Sequence, residues 1–445
     1  MAKTLRYGAW AVGVILLLVL IHSQGFLGFV QADQWLSVKL KTPTSVIPAS
    51  LFNLNVINLE YGAAWPTIPF KGWRNAYADW SIVEPNKGEW HFEYLDSDIA
   101  LAQQHRVEMM LILKYTATWA SARPTEPGCC YPLPWTSKGN TAEPRNIEDW
   151  RNYIRTVATR YKGRVHYYEL WNEPNVPRFY SGTVEQLVQL NRVAYQVLKQ
   201  VDPSITVISS SLSPGYDSFR YLEDYFIQGG GNYADVIGYH FYVAPKSPEA
   251  MLQNIQQVQA LMVKYKLNGK PLWNTETGWK IINRDKNIND EEWAGKALSS
   301  LDACSYIARS YILSWAAGVE RLYWYAWGHR SMGLTEYDAR TPKPIATAYT
   351  EVKKWLVGAQ MTSCQSDKEN TWVCELKRDA YGSDSVLRDY LAWIVWNPDQ
   401  SFSFNLPQIW RVQQVRDLSG TTRRLPQVNQ VEVSPSPLLL ERLAQ

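Results

Sequence analysis

The chain has 445 residues, of which 46% are hydrophobic and 20% charged, and its net charge is +3. That is enough chain for a large core and a small second domain, and too little surplus charge to imply nucleic acid or a strongly acidic partner. The 21 Trp and 27 Tyr are more than a core needs. Flat apolar rings with a polar edge either fill a large barrel or stack against sugar rings.

At the N-terminus, Lys3 and Arg6 precede an apolar run over residues 8–21, which stops at His22-Ser23-Gln24. Val30-Gln31-Ala32 offers a small-residue cleavage site. The run is short for a spanning helix, which needs about 20 apolar residues. Residues 1–32 therefore read as an export signal, with a membrane anchor through residues 8–30 as the alternative. Either places the bulk of the chain in an exported compartment, extracellular or periplasmic.

Residues 33–357 alternate strand-like runs with amphipathic helices. The strand-like runs are residues 51–59, 70–77, 109–113, 165–171, 205–211, 236–242, 272–275 and 321–327. Between them, residues 147–161 place Trp150, Ile154, Val157 and Tyr161 on one helical stripe. Thr183 with Gln186 reads as a capping box, with Leu187, Leu190, Ala194, Val197 and Val201 following on one face. Ser247-Pro248 opens a further helix that closes at Asn268-Gly269. Strand and helix alternating eight times predicts an α/β fold, a (β/α)8 TIM barrel. A doubly wound sheet is the alternative, but no Gly-rich phosphate turn follows the first strand. From 358 to 445 helical periodicity stops and short strands alternate with Pro, Gly and Asn turns, predicting a small β-sandwich.

Five cysteines are present. Cys364 and Cys374 flank a polar turn and, in an exported chain, read as a disulfide across a hairpin. Cys129 and Cys130 are adjacent in a Pro-rich loop and either bond each other or pair elsewhere. Cys304 reads as a buried free thiol. No Cys/His spacing suggests a metal, and nothing calls for a cofactor.

In a barrel, function gathers at the C-terminal ends of the strands. The fourth strand ends in Asn172-Glu173, the sixth in His240-Phe241-Tyr242, and the seventh in Asn274-Thr275-Glu276; the eighth carries Trp324 and Trp327. Each has a plainer reading: a strand-end Glu-Pro, a packing histidine, a helix cap, barrel filling. Together, two facing glutamates suit hydrolysis of an acetal with retention, one protonating the leaving oxygen and one attacking the anomeric carbon. The two need different surroundings. Asn172 would bond a sugar hydroxyl, and Tyr242 or His240 would hold Glu276 ionised.

The motifs "ELWNEPN" (169–175) and "PLWNTETGW" (271–279) resemble those of the clan A glycoside hydrolases. With "WSIVEPNKGEWHFEYLD" (80–96), "TATWAS" (116–121) and "YADVIGYHFY" (233–242), the pattern is most similar to family 39, with family 5 the nearest competitor, over roughly residues 65–355. The resemblance implies that Glu173 is the acid/base and Glu276 the nucleophile. It further implies that Asn172, His240 and Tyr242 line the sugar subsite.

Two residues stand apart. Lys114 occupies a position where relatives usually have a small residue, and it either contacts an acidic sugar or is a salt-bridged wall. Arg74 contacts a hydroxyl or carboxylate, or forms a structural ion pair. Tyr131 and Trp135, in the loop after the third strand, are candidates to stack a sugar. The expected partner is an oligosaccharide or an exported or surface polysaccharide. A transglycosylase with the same residues, or a non-catalytic glycan-binding barrel, is the competing function. The sugar, the linkage and the oligomeric state are not legible.

Overall fold

The computed structural model describes residues 37–59, 62–75, 77–129, 137–284, 296–378, 390–425 and 430–442. The expected targeting segment, residues 1–32, and Cys130, Tyr131 and Trp135 lie outside them. Eight parallel strands form one sheet: β1 (Phe52–Val56), β2 (Gly72–Asn75), β3 (Glu108–Leu113), β4 (Tyr167–Leu170), β5 (Thr206–Ile208), β6 (Ile237–His240), β7 (Leu272–Thr277) and β8 (Val319–Trp327). They pair in sequence order, β8 returns to β1, and bridges Ile208–Val236 and Leu212–Tyr239 join β5 to β6. The barrel is therefore closed, as the alternating pattern predicts.

Helices α1 (Glu93–Gln104), α2 (Ile147–Arg160), α3 (Val184–Val201), α4 (Ser218–Ile227), α5 (Met251–Lys264), α6 (Ser300–Ala316) and α7 (Pro344–Leu356) surround it. Their starts obey local chemistry. The Asn146 side chain accepts from the Glu148 amide at the head of α2. Thr183 and Gln186 complete the capping box at α3, satisfying two amide groups that a helix start would otherwise leave unbonded. Trp150, Ile154 and Val157 of α2 are buried against the sheet, the face their spacing marks out.

The barrel interior is layered. At the bottom, Arg321 bonds Glu108 (2.7 Å) and lies over the rings of Tyr167 and Trp273. Above it Met110, Ile208, Val236, Trp273 and Tyr323 form a separate apolar plug. Higher still the inward positions turn polar, with Asn55, Arg74, Glu169, Ser211, Thr275 and His240 all buried. This polar layer is the floor of the site.

Gly238 of β6 faces that floor. A Cβ there would lie 2.2 Å from Ser211 Oγ and 2.8 Å from Ile208 Cγ2. Gly238→Ala is expected to cost about 1–3 kcal/mol by overpacking, read as a lowered denaturant midpoint. Unchanged stability would mean that β5 yields freely at this point.

The remaining strands are β9 (Gln360–Ser366), β10 (Trp372–Arg378), β11 (Tyr390–Trp396), β12 (Phe402–Asn405), β13 (Gln414–Arg416), β14 (Thr422–Arg424), β15 (Gln430–Val433) and β16 (Leu438–Arg442). Six form an antiparallel sheet and β12–β15 a separate ribbon. One sheet face buries Trp372, Ile394, Trp396 and Leu439 with the barrel core; the other packs Trp393, Val395 and Leu440 with Val431 and Val433 of the ribbon. The Cys364 and Cys374 sulfurs are bonded across β9 and β10. Lys39 and Val46, ahead of the barrel, bridge to β9, so the entering chain also runs along this sheet. Cys304 on α6 is partly exposed rather than buried, because α6 turns that side chain toward the rim of the small domain.

Candidate active site

The end of β4 is built to project a carboxylate. Trp171 and Glu173 both take positive φ (69° and 46°), a conformation costing roughly 1–2 kcal/mol for a side-chain-bearing residue. The surroundings impose it. The Trp171 amide bonds Leu113 O, the Glu173 amide bonds Ser211 O at 2.8 Å, and the Asn175 side chain both donates to Ser213 O and accepts from its amide. The turn is thus stitched to β3 on one side and to the β5 exit on the other, which throws Glu173 over the barrel axis.

Glu276 arrives from β7. His240 Nδ1 stands 2.8 Å from Glu173 Oε1 and 2.9 Å from Glu276 Oε2, so one imidazole N–H is shared by both carboxylates. The facing atoms of the three side chains lie within 4.8 Å of one another. Burial works against a proton on His240, but Glu276 and Glu173 prevail and push its pKa up to about 9. Burial likewise opposes ionisation of Glu276, but His240 and Arg74 outweigh it and hold its carboxyl below the ordinary range. These three side chains are also the set, among the described residues, whose atoms converge as metal ligands would. A shared hydrogen bond accounts for that convergence without an ion.

Arg74 is the hub beneath. Its Nε bonds Glu169 Oε2 at 2.5 Å, Nη2 bonds Asn172 Oδ1 at 2.7 Å, and Nη1 reaches Asn55 Oδ1 (3.2 Å) and Glu276 Oε1 (3.4 Å). Burial would lower its pKa; Glu169 and Glu276 reverse that and keep it charged. Glu169 is fully buried and also accepts from Thr275 Oγ1 (2.9 Å) and Ser211 Oγ. Tyr242 sits edge-on to His240 with ring centres 6.3 Å apart, and burial and then Glu276 drive its phenol pKa up, so it stays protonated.

A cavity of about 330 Å³ opens beside this cluster, lined by Arg74, Asn172 and Glu276 and extending to Asp79, Lys114 and Tyr325. Of the residues picked from the sequence, Glu173, Glu276, Asn172, His240, Tyr242, Arg74 and Lys114 come together here. Trp324 and Trp327 do not. Trp324 stacks on Trp279, and Trp327 donates to Ala64 O, both in the core outside the cavity. Strand alternation on β8 turns Tyr323 and Tyr325 inward and Trp324 to the helices; Trp327 shares the inward parity but follows a register shift that pairs it with Val56 instead. Tyr325 takes the place they were expected to fill.

Glu169, Asp79, Tyr325 and Asn55 were missed. A carboxylate in the middle of the apolar run "YYEL" was the available signal for Glu169, since an unpaired charge does not survive there. Nothing local marks Asp79.

A closed parallel barrel with two carboxylates and a bridging histidine at its C-terminal rim defines a class: barrel proteins equipped for carboxylate-pair chemistry. Comparison with known proteins narrows it. Residues 128–280 match the family model of the glycosyl hydrolases family 39. A β-xylosidase of Geobacillus stearothermophilus is 26% identical over 245 residues, spanning 48% of this chain and 47% of that protein. The chain thus matches about half the length of that relative. In fold it is similar to a family 39 glycoside hydrolase from Bacteroides cellulosilyticus (TM-score 0.65, 19% identity, covering 90% of this chain and 82% of that one). It is also similar to a β-xylosidase from Caulobacter crescentus (TM-score 0.59, 15% identity, covering 91% and 99%). Over about the middle third of the chain the sequence is thus similar to the glycosyl hydrolases of family 39, and the fold is similar to theirs.

Proposed function

We propose that this protein is a retaining glycoside hydrolase, with Glu276 as nucleophile and Glu173 as acid/base. The observation that carries the reading is the closeness of the two carboxylates, within 4.8 Å through facing oxygens. Retention calls for about 5–5.5 Å between carboxyl groups, whereas inversion needs about 6.5–9.5 Å to admit a water.

The surroundings support this division of roles. Glu276, held ionised by His240 and Arg74, attacks the anomeric carbon while the glycosidic C–O bond breaks. Glu173 gives its proton to the departing oxygen. Water then attacks the glycosyl ester, Glu173 takes the proton from that water, and Glu276 leaves as carboxylate. Asn172, anchored by Arg74, bonds a hydroxyl beside the reacting carbon, and its interaction strengthens as charge builds there.

β-Xylosides are the first substrates to try, because two of the relatives are β-xylosidases. Proton NMR of the first-formed sugar should show the substrate's own anomeric configuration; first formation of the opposite anomer would overturn retention. Glu173→Gln should lose about 10²–10⁴-fold in kcat/KM on an alkyl glycoside. It should lose far less on a dinitrophenyl glycoside, whose leaving group needs no proton. Equal losses on both would remove Glu173 from the acid role. The export signal, and with it an extracellular or periplasmic polysaccharide as natural substrate, belongs to the same proposal and rests on residues 1–32.

A further inference from the structure

The cavity has a second charged feature that the reaction does not use. Lys114, at the exit of β3, forms an ion pair with Asp79, Nζ to Oδ1 2.6 Å, with only 7% and 10% of the two side chains exposed. The ammonium also stands 3.9 Å above the Tyr115 ring. Both residues line the cavity together with Glu276. The pair is rigidly mounted, because the Trp80 amide bonds Lys114 O and the Ser81 amide bonds Tyr115 O, tying the β2 exit to the β3 exit. It is close to the reacting centre: after burial, which raises it, and after His240 and Arg74, Lys114 is a further cation lowering the Glu276 pKa.

Among the described residues that line the cavity, both cations are matched. Arg74 has Glu169 and Glu276, and Lys114 has Asp79. A carboxylate on an incoming sugar would meet no unmatched cation among these residues and would lie against Asp79. Adjacent hydroxyls fit such a pair: one donates to the carboxylate while its neighbour accepts from the ammonium.

We propose that Asp79 and Lys114 form a specificity-determining pair that reads two neighbouring hydroxyls of the sugar held at Glu276 and rejects a uronic acid in that place. This deepens the glycosidase reading and rests on it for the position of the reacting carbon.

The test uses p-nitrophenyl β-xyloside, β-glucoside and β-glucuronide, which differ only at the ring substituent. The parent should favour a neutral member over the glucuronide by about 100-fold or more in kcat/KM, since burying a second negative charge beside a carboxylate whose cation is already engaged is costly. Asp79→Asn keeps the shape and removes the negative charge. It should raise the glucuronide-to-glucoside ratio about tenfold or more, and Lys114→Met should weaken the neutral substrates about 10- to 100-fold, mainly through KM. A glucuronide handled as well as the glucoside, or a ratio unchanged in Asp79→Asn, overturns the proposal.

Saturation-transfer NMR on Glu276→Gln, with the same three compounds, separates this from failure of the chemistry. If the parent cleaves none of them yet the neutral compounds bind Glu276→Gln, and binding falls when Asp79→Asn is added, the pair stands and the hydrolase reading falls. Preferential binding of the glucuronide, or no binding of any of the three, overturns the pair.

Discussion

Glu276→Gln is expected to lose at least ~10⁴-fold in kcat/KM on any substrate the parent cleaves. A loss of that size is ordinary when the nucleophile of a covalent mechanism is removed and its supporting groups remain. The amide has nearly the volume of the carboxylate, so the packing around β7 stays as it is. What disappears is the electron pair aimed at the anomeric carbon, and with it the anion that His240 and Arg74 hold in place. The roles of the two glutamates are separable by azide. With Glu276→Gly, azide enters the vacated face and gives a glycosyl azide of inverted configuration. With Glu173→Ala, azide intercepts the glycosyl-enzyme and gives retained configuration. Exchange of these two outcomes would swap the assignments, and activity of Glu276→Gln within tenfold of the parent would remove Glu276 from the mechanism.

The second large effect lies one layer down. Arg74→Met should destabilise the protein by about 3–5 kcal/mol, the usual result of removing one partner from a buried ion pair. Glu169 would be left beneath the site with only Ser211 and Thr275 as donors. Adding Glu169→Gln to Arg74→Met should recover more than about 1 kcal/mol, because the orphaned charge is gone. The pH dependence carries an independent sign. Glu276 is depressed in the fold below its usual 4.5, so its ionisation contributes stability that is present above 4.5 and lost as pH falls through the depressed value. Without Arg74 the carboxyl rises toward the ordinary range, and the acid limb of the kcat/KM profile moves to higher pH. An Arg74→Met protein with parental unfolding midpoint and an unmoved acid limb would show that Arg74 only fills space.

Much of this was legible because barrel strands advertise themselves. Each of the eight apolar runs became a strand, and the helix stripes of Trp150 and Leu187 became buried faces. Glu173 and Glu276 could be found because residues at strand ends share one rim, whatever their distance in sequence. Trp324 and Trp327 show the limit of the same reasoning. Knowing that a residue is on β8 does not say which side of the sheet it faces: a shift of one position exchanges cavity for core at Trp324, and a register irregularity that the sequence does not announce does so at Trp327. The Lys114 alternatives were of another kind. A lysine at a strand exit reads as a sugar contact or a wall until its neighbour in space is known, and that neighbour, Asp79, comes from the loop after β2.

Sequence by itself determined the barrel and marked two strand-end glutamates for its rim, because periodicity and strand-end position are local properties that survive without coordinates. Only the tertiary structure decided how the charges pair. Arg74 with Glu169, His240 between Glu173 and Glu276, and Lys114 with Asp79 each join residues from different strands or from the loops at their exits. Electrostatic energy depends on distance and burial, and closure of the barrel is what brings these groups within a few ångströms of one another, away from water.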